Sequence, residues 1–221
     1  MIGSSYVAVL TGDIVDSSGL ERVAEQPVSV LLDNAGNRVD QNFKTRVHGT
    51  IDVFRGDSWQ MVVNQPAIAV RVGIYFRALL RANYGIDSRI SIGFGGVDFL
   101  PLKNISTGTG EAFTLSGQGL EACLKPTRMN LSFPPGTQNL VGKGLIVITQ
   151  LLDLQLRRWT QGQSQAVAGA LLNLTQAEIA ANWQPEPISQ QAVSQHLENA
   201  GWTQIKNSLL YLERTIPAVL A

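Results

Sequence analysis

The sequence predicts an α+β protein: a ferredoxin-like antiparallel sheet with helices on one face, followed by a small all-helical helix-turn-helix domain. Two observations lead to this prediction. Up to residue 161, β-rich apolar runs alternate with helical patterns in the order β-α-β-β-α-β, with one hairpin in the middle. From residue 162 onward the patterns are helical only. We therefore expect two domains, residues 1–161 and 162–221, with a linker at Gly162.

Turn residues and apolar periodicity locate the elements of the first domain. The continuous apolarity of residues 6–10 is typical of an interior strand. Pro27 must lie in the first turn of the next helix or divide it. The predicted elements are strand 6–10, helix 20–46, strands 47–54 and 59–63, helix 66–84, strand 89–94, helix 112–124, strand 128–133 and helix 138–159.

Capping signals locate the helices of the tail. Thr175 with Glu178 forms a capping box, Ser189 is a second N-cap, and Gly201 ends the helix that Ser189 begins. A helix, a turn and a second helix are typical of the helix-turn-helix. The predicted helices are 166–172, 175–182, 190–200 and 202–213.

Composition narrows the class of protein. A chain that is 44% hydrophobic with zero net charge is typical of a globular protein. No apolar run approaches the ~18 residues that a membrane helix needs, and no signal peptide is recognisable, so we expect no membrane partner. The single cysteine, Cys123, excludes an internal disulfide, and we expect it to be buried in a cytoplasmic protein.

Two aspartates form the candidate site. Asp13 and Asp57 each stand at the end of a hydrophobic strand, preceded by Gly12 and Gly56. If the two strands are neighbours, the carboxylates meet and supply the hard oxygen ligands that Mg²⁺ or Mn²⁺ takes from proteins, with ligand phosphates completing the shell. The glycines would let a bulky ligand approach the backbone. The alternative, that both aspartates only end strands as turn residues, stays open.

Serines after the first strand add to this site. Ser17 and Ser18 precede a predicted helix, whose free N–H groups and positive dipole end favour phosphate. The arginines at positions 71, 77 and 81 lie opposite the apolar stripe of helix 66–84, and we expect them to form a solvated face.

Four stretches carry a family resemblance. They read YVAVLTGDIVDSS from Tyr6, RGDSWQ from Arg55, SRISIGFGGVD from Ser88 and GTGEAFTLSGQGLE from Gly108. Together they resemble the SatD-like bacterial proteins, whose N-terminal domain is similar to the class III nucleotidyl cyclase homology (palm-type) domain. The resemblance covers about residues 4–125. It implies metal binding by Asp13, by Asp57 and by the carbonyl of Ile14, a nucleoside phosphate ligand and a homodimer.

The sequence also departs from active cyclases. Where their helix carries an asparagine and an arginine four residues apart, this chain has Thr114 and Gln118. Gln118 cannot supply the positive charge that stabilises developing phosphate charge. A base-recognising lysine is replaced by Val53 or Phe54. Cyclisation by the known route is therefore not expected, although Thr114 and Gln118 remain candidate nucleotide contacts.

The tail offers polar side chains on its second helix. Gln190, Gln191, Ser194 and Gln195 could bond to base edges. Residues 161–221, however, hold two basic and four acidic side chains, which leaves little attraction for DNA phosphates. The tail therefore favours dimerisation or protein docking, with DNA binding as the alternative.

These features together predict a nucleotide-responsive regulatory protein with a divergent cyclase-like site and a helical tail. Two alternatives stay open. One is a metal-dependent enzyme that performs another phosphoryl reaction on a nucleotide. The other is a dimeric transcription regulator whose site is vestigial.

Overall fold

The computed structural model describes residues 6–17, 26–123, 125–137 and 139–221. Its strands form one five-stranded sheet in the order β2-β3-β1-β4-β5. The strands are β1 (Val7–Ile14), β2 (Val47–Phe54), β3 (Ser58–Val63), β4 (Ser88–Gly95) and β5 (Met129–Ser132).

The predicted α+β class and the central hairpin are confirmed, but the sheet is mixed. β1 lies in the middle and pairs antiparallel with β3 and β4, whereas β5 runs parallel to β4. A parallel neighbour requires a crossover connection, and a helix of residues 111–121 supplies it. The sheet is therefore antiparallel except at its last strand.

The helices of the first part lie on both faces of the sheet, not on one. They are α1 (Val28–Phe43), α2 (Ala69–Tyr84) and α3 (Glu111–Glu121). Ala8 and Leu10 of β1 face α1 and α2, and Val7 and Val9 face α3. Because successive strand residues point to opposite faces, α3 lies across the sheet from the other two helices. Residues 18–25 lie outside the described residues, so helix 20–46 is observed from Val28 only.

Small and polar residues explain how α3 fits on its face. A Cβ built on Gly93 would lie 2.3 Å from the Ser116 backbone nitrogen, so only glycine admits the helix there. Below α3, Gln60 Nε2 donates to Thr11 Oγ1 over 2.7 Å, and Thr11 Oγ1 lies 2.8 Å from Ser116 Oγ. These hydrogen bonds satisfy polar groups that would be costly to bury alone.

The remaining helices pack against the α1–α2 side of the sheet. Thr160 caps the helix α5 (Gln161–Leu171) with a capping box, so Gly162 lies inside this helix. The prediction of a linker at Gly162 is therefore wrong. One continuous apolar cluster extends from the sheet to the tail. It includes, for example, Leu10 of β1 and Ile216 of the last helix. The boundary at residue 161 stays a prediction. The helices are α4 (Leu140–Leu156), α5 (Gln161–Leu171), α6 (Gln176–Ala181), α7 (Gln190–Asn199) and α8 (Trp202–Leu220).

Within the described residues, none of the helices has the length and apolarity needed to cross a bilayer.

Candidate functional site

The two aspartates of the candidate site lie where β1 ends and β3 begins, at one end of these two neighbouring strands. We call this end of the strands the edge. Asp13 is the penultimate residue of β1 and faces Ser58 of β3. Asp57 stands in the turn just before Ser58, and its carbonyl accepts the Ile14 N–H over 3.2 Å. β1 and β3 are thus neighbours, as the sequence predicts. The register of this one strand pair is what brings both aspartates to the same edge.

Buried side chains hold the end of β1 in place. Ser88 Oγ donates to the Asp13 carbonyl over 2.8 Å, and Trp59 Nε1 donates to Ser88 Oγ over 2.9 Å. The ring of Trp59 fills the space where a Cβ of Gly12 would stand, 2.5 Å away. This packing alone explains why position 12 is a glycine, and ligand approach at Gly12 stays a prediction. Gly56 has a positive φ of 84° in the turn, a conformation that glycine adopts without strain.

Both carboxylates already have partners. Arg89 donates from Nε to Asp13 Oδ1 over 2.7 Å and from Nη2 to Asp13 Oδ2. The hydrogen bonds that Arg89 donates to Asp13 raise the pKa of Arg89, despite the opposing effect of burial. Asp57 accepts from Ser17 Oγ and, over 3.3 Å, from Ser58 Oγ. The edge is therefore an arrangement of two anions, one cation and two hydroxyls.

The described residues do not fit a metal ion held by the protein alone. No group of three or more His, Cys, Asp or Glu side chains among them could hold one. Arg89 occupies both oxygens of Asp13, so a divalent cation would have to displace it. Metal binding by Asp13, Ile14 and Asp57 stays a prediction, and so does phosphate contact by Ser17. Ser18 lies outside the described residues.

Thr114 and Gln118 do not join this edge in the single chain. Both lie on the exposed side of α3, opposite the side that packs on the sheet. Thr114 Oγ1 donates to the Gly110 carbonyl of its own helix. Their assignment as nucleotide contacts stays a prediction.

A cavity of about 400 Å³ opens beside Asp13 and is rich in cations. Its charged lining consists of Arg89, Lys125, Arg128 and Arg157, against the single carboxylate of Asp16. A second cavity of about 380 Å³ shares Val15, Asp16 and Arg128 with it. We call the first cavity, together with its four cations, the basic pocket.

A buried ion-pair network forms the floor behind the basic pocket. Arg77 donates to both oxygens of Asp87 over 2.8 Å and to Asp153 over 2.7 Å. Burial alone would raise the pKa of Asp87, but the charge and hydrogen bonds of Arg77, with Arg81 and Arg128, hold that pKa well below its usual range. Asp87 is thus ionised, and both oxygens of Asp153 have partners in Arg77 and in the backbone N–H of Arg128.

This network leaves cations in surplus. Arg77 and Arg81 suffice to neutralise Asp87 and Asp153. Among the described residues, the walls of the two cavities and their direct ion-pair partners then hold six cations against four carboxylates, a surplus of two positive charges, or of one when the adjoining Asp57 is counted. The cations are Arg77, Arg81, Arg89, Lys125, Arg128 and Arg157, and the carboxylates are Asp13, Asp16, Asp87 and Asp153.

The expectation of a solvated arginine face on α2 is wrong. Arg77 is almost fully buried, and Arg71 pairs with Glu213 of α8 over 2.6 Å. Helical spacing identifies the side of the helix but not what packs on it. One signal could have suggested the network: Asp153 is the only acidic residue in the apolar helix α4, a position that calls for a buried counter-charge.

The tail has the predicted caps and exposes the predicted polar side chains. Ser189 accepts the Ala192 N–H at the start of α7, and Gly201 has the left-handed φ of 72°. Apolar residues Val193 and Leu197 face inward. The four candidate base-contacting residues Gln190, Gln191, Ser194 and Gln195 are all exposed. DNA binding through them stays a prediction.

Comparisons with known proteins give partial structural likenesses. No family model matches the chain, and no curated protein does, so the SatD-like resemblance stays a prediction. A bacterial light-regulated adenylyl cyclase is similar over 57% of this chain and 42% of its own, with 16% identity and a TM-score of 0.38. The guanylyl cyclase Cya2 is similar over 53% of this chain and 70% of its own, with 18% identity and a TM-score of 0.36. At these TM-scores the likeness says nothing about what the chain binds.

Proposed function

We propose that this protein binds a phosphorylated, nucleotide-class ligand in the basic pocket and responds to it through its helical tail. The observation that carries the proposal is the surplus of positive charge that the described residues place around the pocket. Net charge of one sign in a concave site attracts and orients a ligand of the other sign. The volume of about 400 Å³ lies within the range of small-molecule sites.

Arginine chemistry supports phosphate as the bound group. Arg128 uses Nη1 for Asp87, and Arg157 reaches Asp153 only through a long contact of 3.5 Å from Nε. The buried Nε of Arg157 has no hydrogen-bond partner among the residues that the structure describes. Both guanidinium groups therefore retain N–H donors, and their planar fork suits phosphate oxygens. Lys125, which is largely exposed, would add a mobile charge at the rim.

The nucleotide part of the proposal rests on the sequence resemblance and on the neighbouring edge. Arg89 belongs both to the pocket and to the Asp13 pair, so a ligand phosphate there would lie beside the two aspartates. Mg²⁺ is usually held by one or two carboxylates together with ligand phosphates. Asp13 or Asp57 would accordingly be the protein ligand of a metal ion that is bound together with the ligand phosphates.

A line of contacts joins the pocket to the tail and supports a regulatory role. Arg157 lines the pocket at the C-terminus of α4. Two residues further on, Trp159 Nε1 donates to the Ala200 carbonyl over 3.0 Å, and Gln155 Nε2 donates to the same carbonyl over 3.2 Å. Ala200 ends α7, which exposes the candidate contact residues. A shift of Arg157 on ligand binding would thus be transmitted to α7 through the hydrogen bonds of Gln155 and Trp159 to the Ala200 carbonyl.

Adjacent arginines provide a matched test. We expect calorimetry to detect binding of ATP, GTP or pyrophosphate by the full chain, and Arg157→Gln to raise the Kd about tenfold through the loss of one charge-assisted hydrogen bond of ~1.5 kcal/mol. Arg158→Gln, which removes the same charge from an exposed neighbour outside the pocket lining, should leave the Kd unchanged. In the liganded protein, amide exchange in α7 should also slow.

The proposal fails if none of these ligands binds, with or without magnesium, or if the two variants bind equally well. Slower exchange around the basic pocket with no change in α7 would retain binding and remove the regulatory role.

A further inference from the structure

Helix α4 carries apolar side chains on two opposite sides. Leu145, Leu152 and Leu156 face the core and are buried. On the outer side, Leu140, Val147, Leu151 and Leu154 are 86%, 52%, 62% and 40% exposed. A surface helix normally has one apolar stripe and a polar opposite face. α4 is therefore built like a helix with a neighbour on each side, and the part of the chain that the structure describes supplies a neighbour on one side only.

The outer row follows the spacing of a helix pair. Positions 140, 144, 147, 151 and 154 are separated by steps of four, three, four and three residues, the 3.5-residue period of a two-helix seam. Gly144 belongs to this row, and nothing lies within 4 Å of a Cβ built on it. The single chain thus gives no packing reason for this glycine. We call these five positions the α4 seam.

The charge pattern narrows the choice of partner. Lys143 stands near the start of α4 and Arg158 just past its end, and the exposed positions between them carry no charge. A strongly charged partner would find no counter-charge along the seam. A membrane-surface helix is typically rich in Lys and Arg on its polar side, and the exposed positions of α4 carry one Lys, Lys143, and no Arg.

We propose that the α4 seam pairs with the same seam of a second copy of this chain, antiparallel about a two-fold axis between Val147 and Leu151. Gly144 then faces Leu154 of the partner subunit, and Val147 faces the partner's Leu151. At these two levels a smaller residue meets a larger one, which gives the self-complementary fit of an isologous interface, and Leu140 lies beside Arg158 of the partner subunit at the rim. A parallel pair would instead place glycine against glycine and Lys143 beside its own copy.

A groove next to the seam enlarges the surface. It lies between α4 and α8, has a volume of about 420 Å³, and is lined by residues that include Ile148, Leu152 and Ile205. Stable interfaces bury about 800 Å² on each partner. One helix face is small for that, so the second copy is expected to contact the groove as well. This pairing does not depend on the basic pocket or on its ligand.

Sedimentation equilibrium of the full chain tests the pairing. We expect a monomer–dimer equilibrium, and Leu151→Glu should raise the dimer Kd at least about tenfold because it buries a charge at the centre of the seam. Leu102→Glu is the matched control, because Leu102 is 80% exposed and lies off the seam. A wild-type chain that stays monomeric at all concentrations overturns the proposal, and so does equal weakening by both variants.

Cross-linking tests the orientation. Chains with Gly144→Cys and chains with Leu154→Cys, mixed and treated with a short bis-thiol reagent, should cross-link to each other and not to themselves. The natural Cys123 is buried, and the wild-type chain controls for it. Links within either variant alone would overturn the antiparallel pair. A monomer that instead sediments with anionic lipid vesicles would make the seam a membrane surface and end the proposal.

Discussion

Two arginine–aspartate pairs at different depths use the same chemistry with different consequences. Arg77 and Asp87 are 2% and 6% exposed. Both carboxylate oxygens of Asp87 accept hydrogen bonds from the surrounding arginines. Arg89 and Asp13 form the same two-pronged pair at 35% and 19% exposure, at the mouth of the basic pocket. The first pair has no room for a ligand, whereas the second has one face open to it.

This difference teaches where an ion pair stabilises the fold and where it can exchange partners. Breaking a buried pair leaves an uncompensated charge in a medium that solvates it poorly, so its members are bound to each other. A pair near the surface is solvated when it opens and contributes little to stability. The proposed release of Asp13 by Arg89 therefore costs less than a release of Asp87 by Arg77 would.

The largest expected effect breaks the buried pair. Arg77→Met should lower the free energy of unfolding by about 3–5 kcal/mol, because Asp87 and Asp153 keep their burial and lose their central partner. Urea unfolding measures it. Arg158→Met, at an exposed position, is expected to change the free energy by less than about 0.5 kcal/mol. Equal values for the two variants would show that burial does not separate these sites.

A pH series sharpens the same comparison. Because the pKa of Asp87 is lower in the folded state than in the unfolded state, its stabilising contribution is present above the unfolded pKa of ~3.9 and is lost as pH falls below it toward the folded pKa. Asp87→Asn should cost about 2–3 kcal/mol at pH 7. The gap to wild type should narrow below about pH 4 in urea titrations. A gap that is constant down to pH 2 would contradict an ionised Asp87.

The smallest stability effect is expected at the edge of the sheet. Arg89→Gln should change the free energy of unfolding by no more than ~1 kcal/mol, since the pair is partly solvated. The same variant should weaken phosphate binding about tenfold in calorimetry. Arg46→Gln, at an exposed position outside the pocket lining, should alter neither quantity. A large loss of stability with unchanged binding would make Arg89 a structural residue like Arg77.

Local signals predicted much of this protein. The strands follow from short apolar runs between turn residues, and the tail helices follow from caps at Thr175 and Ser189, because a cap is read from residues a few positions apart. The neighbouring position of Asp13 and Asp57 was a hypothesis that the family resemblance favoured, because a hairpin does not say whether β2 or β3 pairs with the first strand.

Other features depended on contacts between distant residues. Asp87 and Asp153 lie 10 and 76 positions from Arg77 in the chain, and helical spacing cannot tell a solvated arginine from one that packs against them. The position of α3 on the second face was likewise hidden, because an interior strand is apolar on both sides and does not say which helix covers each side.

The sequence by itself determined most of the elements and their caps, and it supplied the hypothesis that the two aspartates meet. Only the tertiary structure decided which charges were buried, which were left in surplus around the basic pocket, and that one side of α4 stayed uncovered. The physical reason is the distance along the chain over which each kind of interaction acts. Caps and turns are satisfied within a few residues, whereas the electrostatic state of a side chain depends on every group that folding brings within a few ångströms of it.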